Sequence, residues 1–316
     1  MNKILKWLKR IFTAISGLII IMMIGLYITF YFGKKDVVKN LPQDSQIIRT
    51  DKGKVEYSSS GNGDRYMLMI HGSPGSVHVS GGQSFLDHGF SVLGVSIPGY
   101  YQTPLPSGRT PKEEAALYKS LLDTLKIDAV YVNGISGGGP ASIQFAIDYP
   151  DRCAGLILRA AVSEKIEESA DDHGLLSSFF QTEFRTWLGI QIGKTQLTKS
   201  EKEKLDWFVE RGFFPFESIL EGNENDTYQF KNLKEFNLEK ITSPTILFHG
   251  DKDKNVPFSF SKKTSNRIPN AILVEMKGKD HYDFFLSYGD TVNTEIVRFV
   301  ETMENKYDPV LEIKTL

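Results

Sequence analysis

Gly134-Ile135-Ser136-Gly137-Gly138 has the G-x-S-x-G spacing in which a serine can act as a nucleophile. Its chemical value depends on context. Residues 129–133 read as a short buried strand and 141–148 as a helix, so Ser136 falls on a strand-to-helix turn. A sharp turn there strains the serine and projects its hydroxyl, while glycines two positions to either side let strand and helix close together. A phosphate loop is the competing reading of the same glycines. No Gly-Lys-Ser/Thr follows them, however, and the spacing is not G-x-G-x-x-G.

A serine nucleophile needs a base, and the chain has six histidines: His71, His78, His88, His173, His249 and His281. In a strand-turn-helix architecture of this kind the chain order is nucleophile, acid, histidine. His281 alone follows every candidate acid, beyond a strand expected at 272–276. His71 and His249 fall at strand ends, where hydrogen bonds to nearby turns are expected. The acid belongs at the end of the preceding strand, where His249-Gly250-Asp251-Lys252-Asp253 offers both Asp251 and Asp253. Asp280 and Asp283 flank His281 too closely in the chain to orient its ring.

The elements that must hold these residues can be read from pattern. Strands are expected at 54–59, 66–71, 90–97, 129–133, 155–162, 245–249 and 272–276. Thr110-Pro111 caps a helix running to Leu125, with apolar residues at helical spacing, and 284–300 reads as a closing helix. Strands alternating with helices predict an α/β protein with a mainly parallel sheet covered on both faces. Residues 163–240 break the rhythm. They contain helical pieces, including a capping-box pattern at Ser200-Glu201-Lys202-Glu203, and twelve aromatics, among them Phe179, Phe180, Phe184, Trp187, Trp207 and Phe214. This stretch reads as a helical cap inserted between two strands. Most of its aromatics are expected to fill the cap's own core and the rest to line an apolar pocket.

Taken together these residues resemble the α/β-hydrolase fold superfamily of serine hydrolases, over about 50–303. Besides the serine motif, the resemblance rests on His249-Gly250-Asp251-Lys252-Asp253-Lys254-Asn255-Val256-Pro257, similar to the family's H-G-x-x-D-x-x-V-P loop. It rests also on His71-Gly72-Ser73-Pro74-Gly75, similar to the family's H-G-x-P-G oxyanion loop. The resemblance implies that Asp253 is the acid and Asp251 a turn residue. It further implies an oxyanion hole formed by the amides of Ser73 and Gly137, with no metal or organic cofactor. Two departures leave the subfamily open: the elbow continues as Gly138-Gly139-Pro140, and Gly278-Lys279-Asp280 precedes the histidine where G-x-G is common.

With Ser136, His281 and Asp253 as a triad, the expected reaction is acyl transfer to water from a small-molecule ester. Relatives that open epoxides or displace halide carry aspartate at the elbow, which disfavours those reactions. Two other readings remain. Proline iminopeptidases have a similar oxyanion loop and cap carboxylates for a substrate's amino terminus, and this cap begins with Glu164, Glu167, Glu168, Asp171 and Asp172. The elbow lacks the tryptophan those enzymes usually carry after the serine. A non-catalytic binding module on the same scaffold is the third reading, against which the complete triad argues.

The N-terminus is different in kind. Residues 11–32 are 22 positions without a charge, which at about 1.5 Å per helical residue reach roughly 33 Å. That is enough to cross a bilayer core of about 30 Å. A cleaved signal peptide is the competing reading, although its apolar stretch is typically about 7–15 residues and ends at small residues. Lys3, Lys6, Lys9 and Arg10 precede the span and favour a cytoplasmic N-terminus; Lys34, Lys35 and Lys39 follow it and blunt the bias. The expected organisation is a tail and membrane anchor at 1–33, a stalk at 34–49, the α/β-hydrolase domain at 50–303 and a tail at 304–316. A single-pass protein of the cell membrane with an extracytoplasmic catalytic domain follows.

Composition narrows what else the chain can do. Its 316 residues carry 37 Lys and Arg against 39 Asp and Glu, a net charge of −2 with no basic footprint for nucleic acid. Residues 1–33 hold four basic and no acidic residues, which leaves 33 basic and 39 acidic, or −6, on the remainder. The lone Cys153 excludes an internal disulfide, and no Cys/His run has zinc spacing.

Overall fold

The computed structural model describes residues 2–79, 82–166 and 182–304. In chain order the elements are α1 (Asn2–Lys39), β1 (Gln46–Arg49), β2 (Lys54–Ser60), β3 (Arg65–Ile70), α2 (Gln83–Asp87), β4 (Phe90–Val95), α3 (Pro111–Leu125), β5 (Val130–Ile135), α4 (Gly139–Asp148) and β6 (Cys153–Arg159). Three helices follow: α5 (Glu183–Gly193), α6 (Lys199–Gly212) and α7 (Leu220–Asn232). The chain then forms β7 (Thr245–Gly250), α8 (Phe258–Arg267), β8 (Ile272–Met276), α9 (Asp283–Leu286) and α10 (Gly289–Glu304). They fall into two compact units. Of the described residues, 2–41 and 182–197 form one, and 42–79, 82–166 and 198–304 form the other.

The larger unit is built on an eight-stranded sheet of order β1-β2-β4-β3-β5-β6-β7-β8. The pairs β1/β2 and β2/β4 are antiparallel, and every pair from β4/β3 to β7/β8 is parallel. Parallel strands buried on both faces read as continuous apolar runs, and β4 and β7 are buried along their whole length. One face carries α3 and α4, with Tyr118, Leu121, Leu122, Ile143 and Phe145 in its core. The other carries α2 and α10, with Phe85, Val292, Ile296, Phe299 and Val300. Each such side chain removed from water contributes about 1.5–3 kcal/mol before the entropy of ordering it is subtracted. The parallel arrangement brings the carboxyl ends of β3, β5, β6, β7 and β8 to one edge, where the connecting loops carry the chemistry.

Several boundaries differ from the expectation for physical reasons. The stalk expected at 34–49 is largely structured: α1 continues to Lys39, and 46–49 pair with β2 as the first strand of the sheet. A turn at 50–53 closes that hairpin, with the Thr50 hydroxyl donating to the Gly53 carbonyl at 2.9 Å. Polar ends, Gln46 and Arg49, hid a two-residue apolar core, Ile47-Ile48. The expected closing helix is two, because the chain turns at Ser287 between α9 and α10. In α6 the capping box is Thr198 with Glu201, two positions before the one expected; the Thr198 hydroxyl accepts from the Glu201 amide at 3.3 Å.

α6 and α7 are seated on loops at the carboxyl edge of the sheet: the Tyr101 hydroxyl donates to the Arg211 carbonyl of α6 at 2.9 Å. The Tyr101 amide donates to the Ser218 carbonyl at 2.6 Å and the Gly222 amide to the Gly99 carbonyl at 2.9 Å. A Cβ on Gly222 would lie 2.2 Å from the Tyr100 ring, so α7 reaches this depth only because the residue is glycine. Between β6 and β7, residues 167–181 lie outside the described residues, and with them Glu167, Glu168, Asp171, Asp172, His173, Phe179 and Phe180.

The smaller unit is α1 with α5. At about 1.5 Å per residue the 38 residues of α1 extend about 57 Å. Phe30 is buried against Phe184 and Trp187 of α5, with ring centroids 5.5 and 5.6 Å apart, and Lys34 pairs with Glu183 at 2.7 Å. Tyr27 also meets the Phe184 ring edge-on at 5.3 Å, and most of the remaining apolar run is exposed. With a mean hydropathy of 2.4 over its most apolar window, this helix is long and apolar enough to cross a membrane, a test that a signal sequence also passes.

Candidate active site

Ser136 begins the turn that joins β5 to α4 and holds φ at +47°, a left-handed conformation that costs a non-glycine residue about 1–3 kcal/mol. The flanking glycines explain how the turn is tolerated. A Cβ on Gly134 would lie 2.2 Å from Ser142 Oγ on α4, and one on Gly138 would lie 2.5 Å from the His71 carbonyl. With neither present, α4 packs directly on β5, and the turn sits against the loop after β3.

The loops after β7 and β8 are laced together. The Asp251 amide donates to the Met276 carbonyl at 3.2 Å, the Lys252 amide to the Lys279 carbonyl at 2.9 Å, and the Gly278 amide to Asp251 Oδ1 at 2.6 Å. Asp251 is therefore a turn residue. This lacing brings His281 between the other two candidates: its Nδ1 lies 2.7 Å from Asp253 Oδ2 and its Nε2 lies 2.9 Å from Ser136 Oγ. Residues 145 positions apart in the chain are thus in hydrogen-bond contact.

The Asp253 side chain is buried and well supplied with donors. Its Oδ1 accepts from the amides of Asn255 and Val256, both at 2.8 Å, and its Oδ2 lies 3.1 Å from His249 Nε2. Burial by itself would raise the carboxyl. The hydrogen bonds from His249 and His281, and the charge His281 takes on when protonated, hold it well below the usual carboxylate range. His249 completes the arrangement: its Nδ1 lies 2.7 Å from Ser261 Oγ and its Nε2 lies 3.0 Å from the Val256 carbonyl. A ring nitrogen facing a carbonyl must carry the proton, so the Ser261 hydroxyl donates to Nδ1.

The loop after β3 faces the serine. His71 is buried, and burial pushes its imidazole down to about 4, so the ring is neutral at pH 7. The Ile97 amide donates to its Nε2 at 3.0 Å, which places the proton on Nδ1, 2.7 Å from the Gly72 carbonyl. A Cβ on Gly137 would lie 3.0 Å from the Ser73 amide nitrogen and closer still to the Ser73 side chain. The two residues expected to supply oxyanion donors are therefore in contact.

Sequence reasoning missed Asp226. It stands on α7, where it accepts a hydrogen bond from the Ser73 hydroxyl and another from the Tyr100 hydroxyl, the latter at 2.7 Å. Burial lifts its carboxyl to about 6 against the opposing pull of those two donors. Glu114 on α3, buried nearby, is raised well above its ordinary value, first by burial and then by the Asp226 charge.

A cavity of about 690 Å³ opens over Ser136 and His281, within the usual size of a small-molecule site. Val162, Trp207, Phe208, Phe213 and Phe230 give it an apolar wall. Arg159, Asn255 and Asn293 are polar side chains in its lining. Arg159 also went unread in the sequence, where its one signal was a charge ending the apolar strand β6. Among the described residues, no group of three or more His, Cys, Asp or Glu side chains is arranged to hold a metal ion.

An eight-stranded, mainly parallel sheet with a serine on the turn after β5 defines the α/β-hydrolase class. A model of the alpha/beta hydrolase fold family matches residues 66–288, and the chain belongs to this family. An uncharacterized hydrolase of Bacillus subtilis (strain 168) is 35% identical over 120 residues, a match that spans 38% of this chain and 42% of that protein. A 2-hydroxy-6-oxononadienedioate/2-hydroxy-6-oxononatrienedioate hydrolase from Pseudomonas putida is 24% identical over 82% of this chain and 97% of its own. Among solved structures, an alpha/beta hydrolase fold protein from Nakamurella multipartita superposes with a TM-score of 0.68 at 27% identity, covering 81% of this chain and 98% of that one.

Proposed function

We propose that this hydrolase is a membrane-anchored serine hydrolase that cleaves a carboxylic ester through an acyl-enzyme. The observation that carries the reading is the continuous relay from Asp253 through His281 to Ser136, with contacts of 2.7 and 2.9 Å. Ser136 Oγ attacks the ester carbonyl while its proton passes to His281 Nε2. Asp253 holds the ring so that Nδ1 keeps its proton, and it stabilises the imidazolium that forms. Collapse of the tetrahedral intermediate expels the alkoxide, which takes the proton from Nε2. Water then repeats the sequence on the acyl-enzyme and releases the acid. Negative charge on the former carbonyl oxygen is met by the amides of Ser73 and Gly137, fixed before the reaction begins.

An ester is favoured over an amide because its alkoxide leaves more readily than an amine. Anchoring rests on α1, whose apolar run is long enough for a bilayer and uncovered over most of its length. Its preceding basic residues favour a cytoplasmic N-terminus and an extracytoplasmic hydrolase unit. A fluorophosphonate probe tests the chemistry. The wild-type chain is expected to be labelled and the Ser136→Ala variant not, and a short-chain aryl ester is expected to turn over faster than a prolyl arylamide. Equal labelling of the Ser136→Ala variant would remove Ser136 from the role, and preferential turnover of the arylamide would replace the esterase reading with a peptidase one.

A further inference from the structure

Arg159 is a buried charged side chain in the cavity lining that the ester mechanism does not use. It closes β6 at the carboxyl edge of the sheet, 5% exposed, and its side chain lines the same cavity as Ser136 and His281. Its Nη2 donates to Asn293 Oδ1 at 2.7 Å, and its guanidinium stands 5.9 Å from the Phe85 ring. Neither neighbour is charged. No carboxylate pairs with Arg159 among the described residues, and its buried Nε–H has no hydrogen-bond partner. Glu295, a buried carboxylate two positions beyond Asn293 on α10, pairs through Oε1 with Arg298 at 2.7 Å. Burial draws the Arg159 guanidinium down to about 9, which still leaves it charged at neutral pH.

A buried cation to which the described residues supply no counter-charge is costly, and an anion entering the cavity relieves that cost. The free Nε–H edge of a guanidinium matches the two oxygens of a carboxylate in spacing and plane. We infer that Arg159, steadied by Asn293, is a substrate-anion site, and that the ester carries a free carboxylate which docks on this edge while its carbonyl lies at Ser136. The inference rests on the serine hydrolase reading for its scissile carbonyl, but the anion site itself does not. A carboxylate here would fix the substrate's orientation against the apolar wall of Val162, Phe208 and Phe213.

The test uses the full chain in detergent with 4-nitrophenyl hemiesters of succinate, glutarate and adipate, each paired with its methyl-capped neutral counterpart. For at least one chain length the wild type is expected to favour the anionic ester in kcat/KM by about 10- to 100-fold, the range of a charge-assisted hydrogen bond. Arg159→Met is expected to bring that ratio close to one. Should Arg159→Met fail to fold, Arg159→Lys, which keeps the charge and loses the Nε–H, is expected to lower it severalfold. A wild-type ratio of one or below at every length, or a ratio unchanged in the variants, overturns the proposal.

Binding separates this idea from the mechanism. Glutarate is expected to raise the Tm of the Ser136→Ala chain and to have no effect once Arg159→Met or Arg159→Lys is added. Glutarate stabilisation with no turnover of any ester sinks the hydrolase reading alone. Ester turnover with no glutarate effect and no charge preference sinks the Arg159 site alone. Stabilisation by inorganic phosphate but not by glutarate overturns the carboxylate assignment.

Discussion

Asp253 accepts from two amides and two imidazoles, so its replacement has two separable effects. Asp253→Asn keeps the shape but offers His281 Nδ1 the wrong partner, and kcat is expected to fall by about 10³- to 10⁴-fold while the chain still folds. Steady-state kinetics beside a thermal melt check this; a loss below tenfold would show that the carboxylate does not orient the ring. His71 makes a prediction in stability. Its folded value of about 4 lies below the ordinary 6.5, so between those values the unfolded chain binds a proton that the folded chain refuses. The stability it lends is complete above 6.5 and lost as pH falls toward 4, about 3 kcal/mol in all. Asp226, raised to about 6, works in the opposite direction over part of that range, so the wild-type curve alone mixes the two. The gap between wild type and His71→Gln in urea unfolding isolates His71 and is expected to narrow by about 3 kcal/mol between pH 7 and pH 4. A constant gap would mean that burial does not depress the His71 imidazole. Ser136 and His281 were legible because a spacing and a chain order mark them. Asp226 and Arg159 were not, since their partners arrive from 153 and 134 positions away and leave no local pattern.

At the scale of elements, close backbone approach decides what can be changed. Gly222→Ala drives a methyl into the Tyr100 ring and is expected to cost about 1–3 kcal/mol, because neither α7 nor the loop after β4 has room to yield. Gly193, at the end of α5, has nothing within 4 Å of its virtual Cβ, so Gly193→Ala is expected to be neutral or stabilising by up to about 1 kcal/mol. Paired denaturation curves check both; equal effects would contradict the packing described for α7. The strands could be read because parallel strands covered on both faces are apolar end to end, and β8 falls where its pattern puts it. β1 could not, since four residues with two exposed ends carry no alternation long enough to separate a strand from a stalk. Helix boundaries slipped where hydroxyl residues sit two apart, as Thr198 and Ser200 do, and only hydrogen bonding selects the cap.

For the whole molecule, the segregation of charge and hydropathy carries the prediction. If α1 is a retained anchor, protein extracted from membranes has the full 35.6 kDa mass, whereas removal of a signal sequence would leave a chain several kilodaltons lighter. Leu18→Arg with Ile21→Arg, each charge costing about 2.5–3.5 kcal/mol near the centre of a span, is expected to release the chain from carbonate-washed membranes. Retention of the double variant would refute insertion. The seat of α7 also governs traffic. Its Asp226 holds the Ser73 hydroxyl, and its Gly222 lies against Gly99, so α7 cannot swing outward without dismantling the loop that faces Ser136. At the α6 margin of the cavity the bridge from Lys204 to Asp290 is a 3.8 Å pair between exposed side chains, which yields at little cost. One side of the cavity is a fixed jaw, and the other carries an exposed ion pair at its margin.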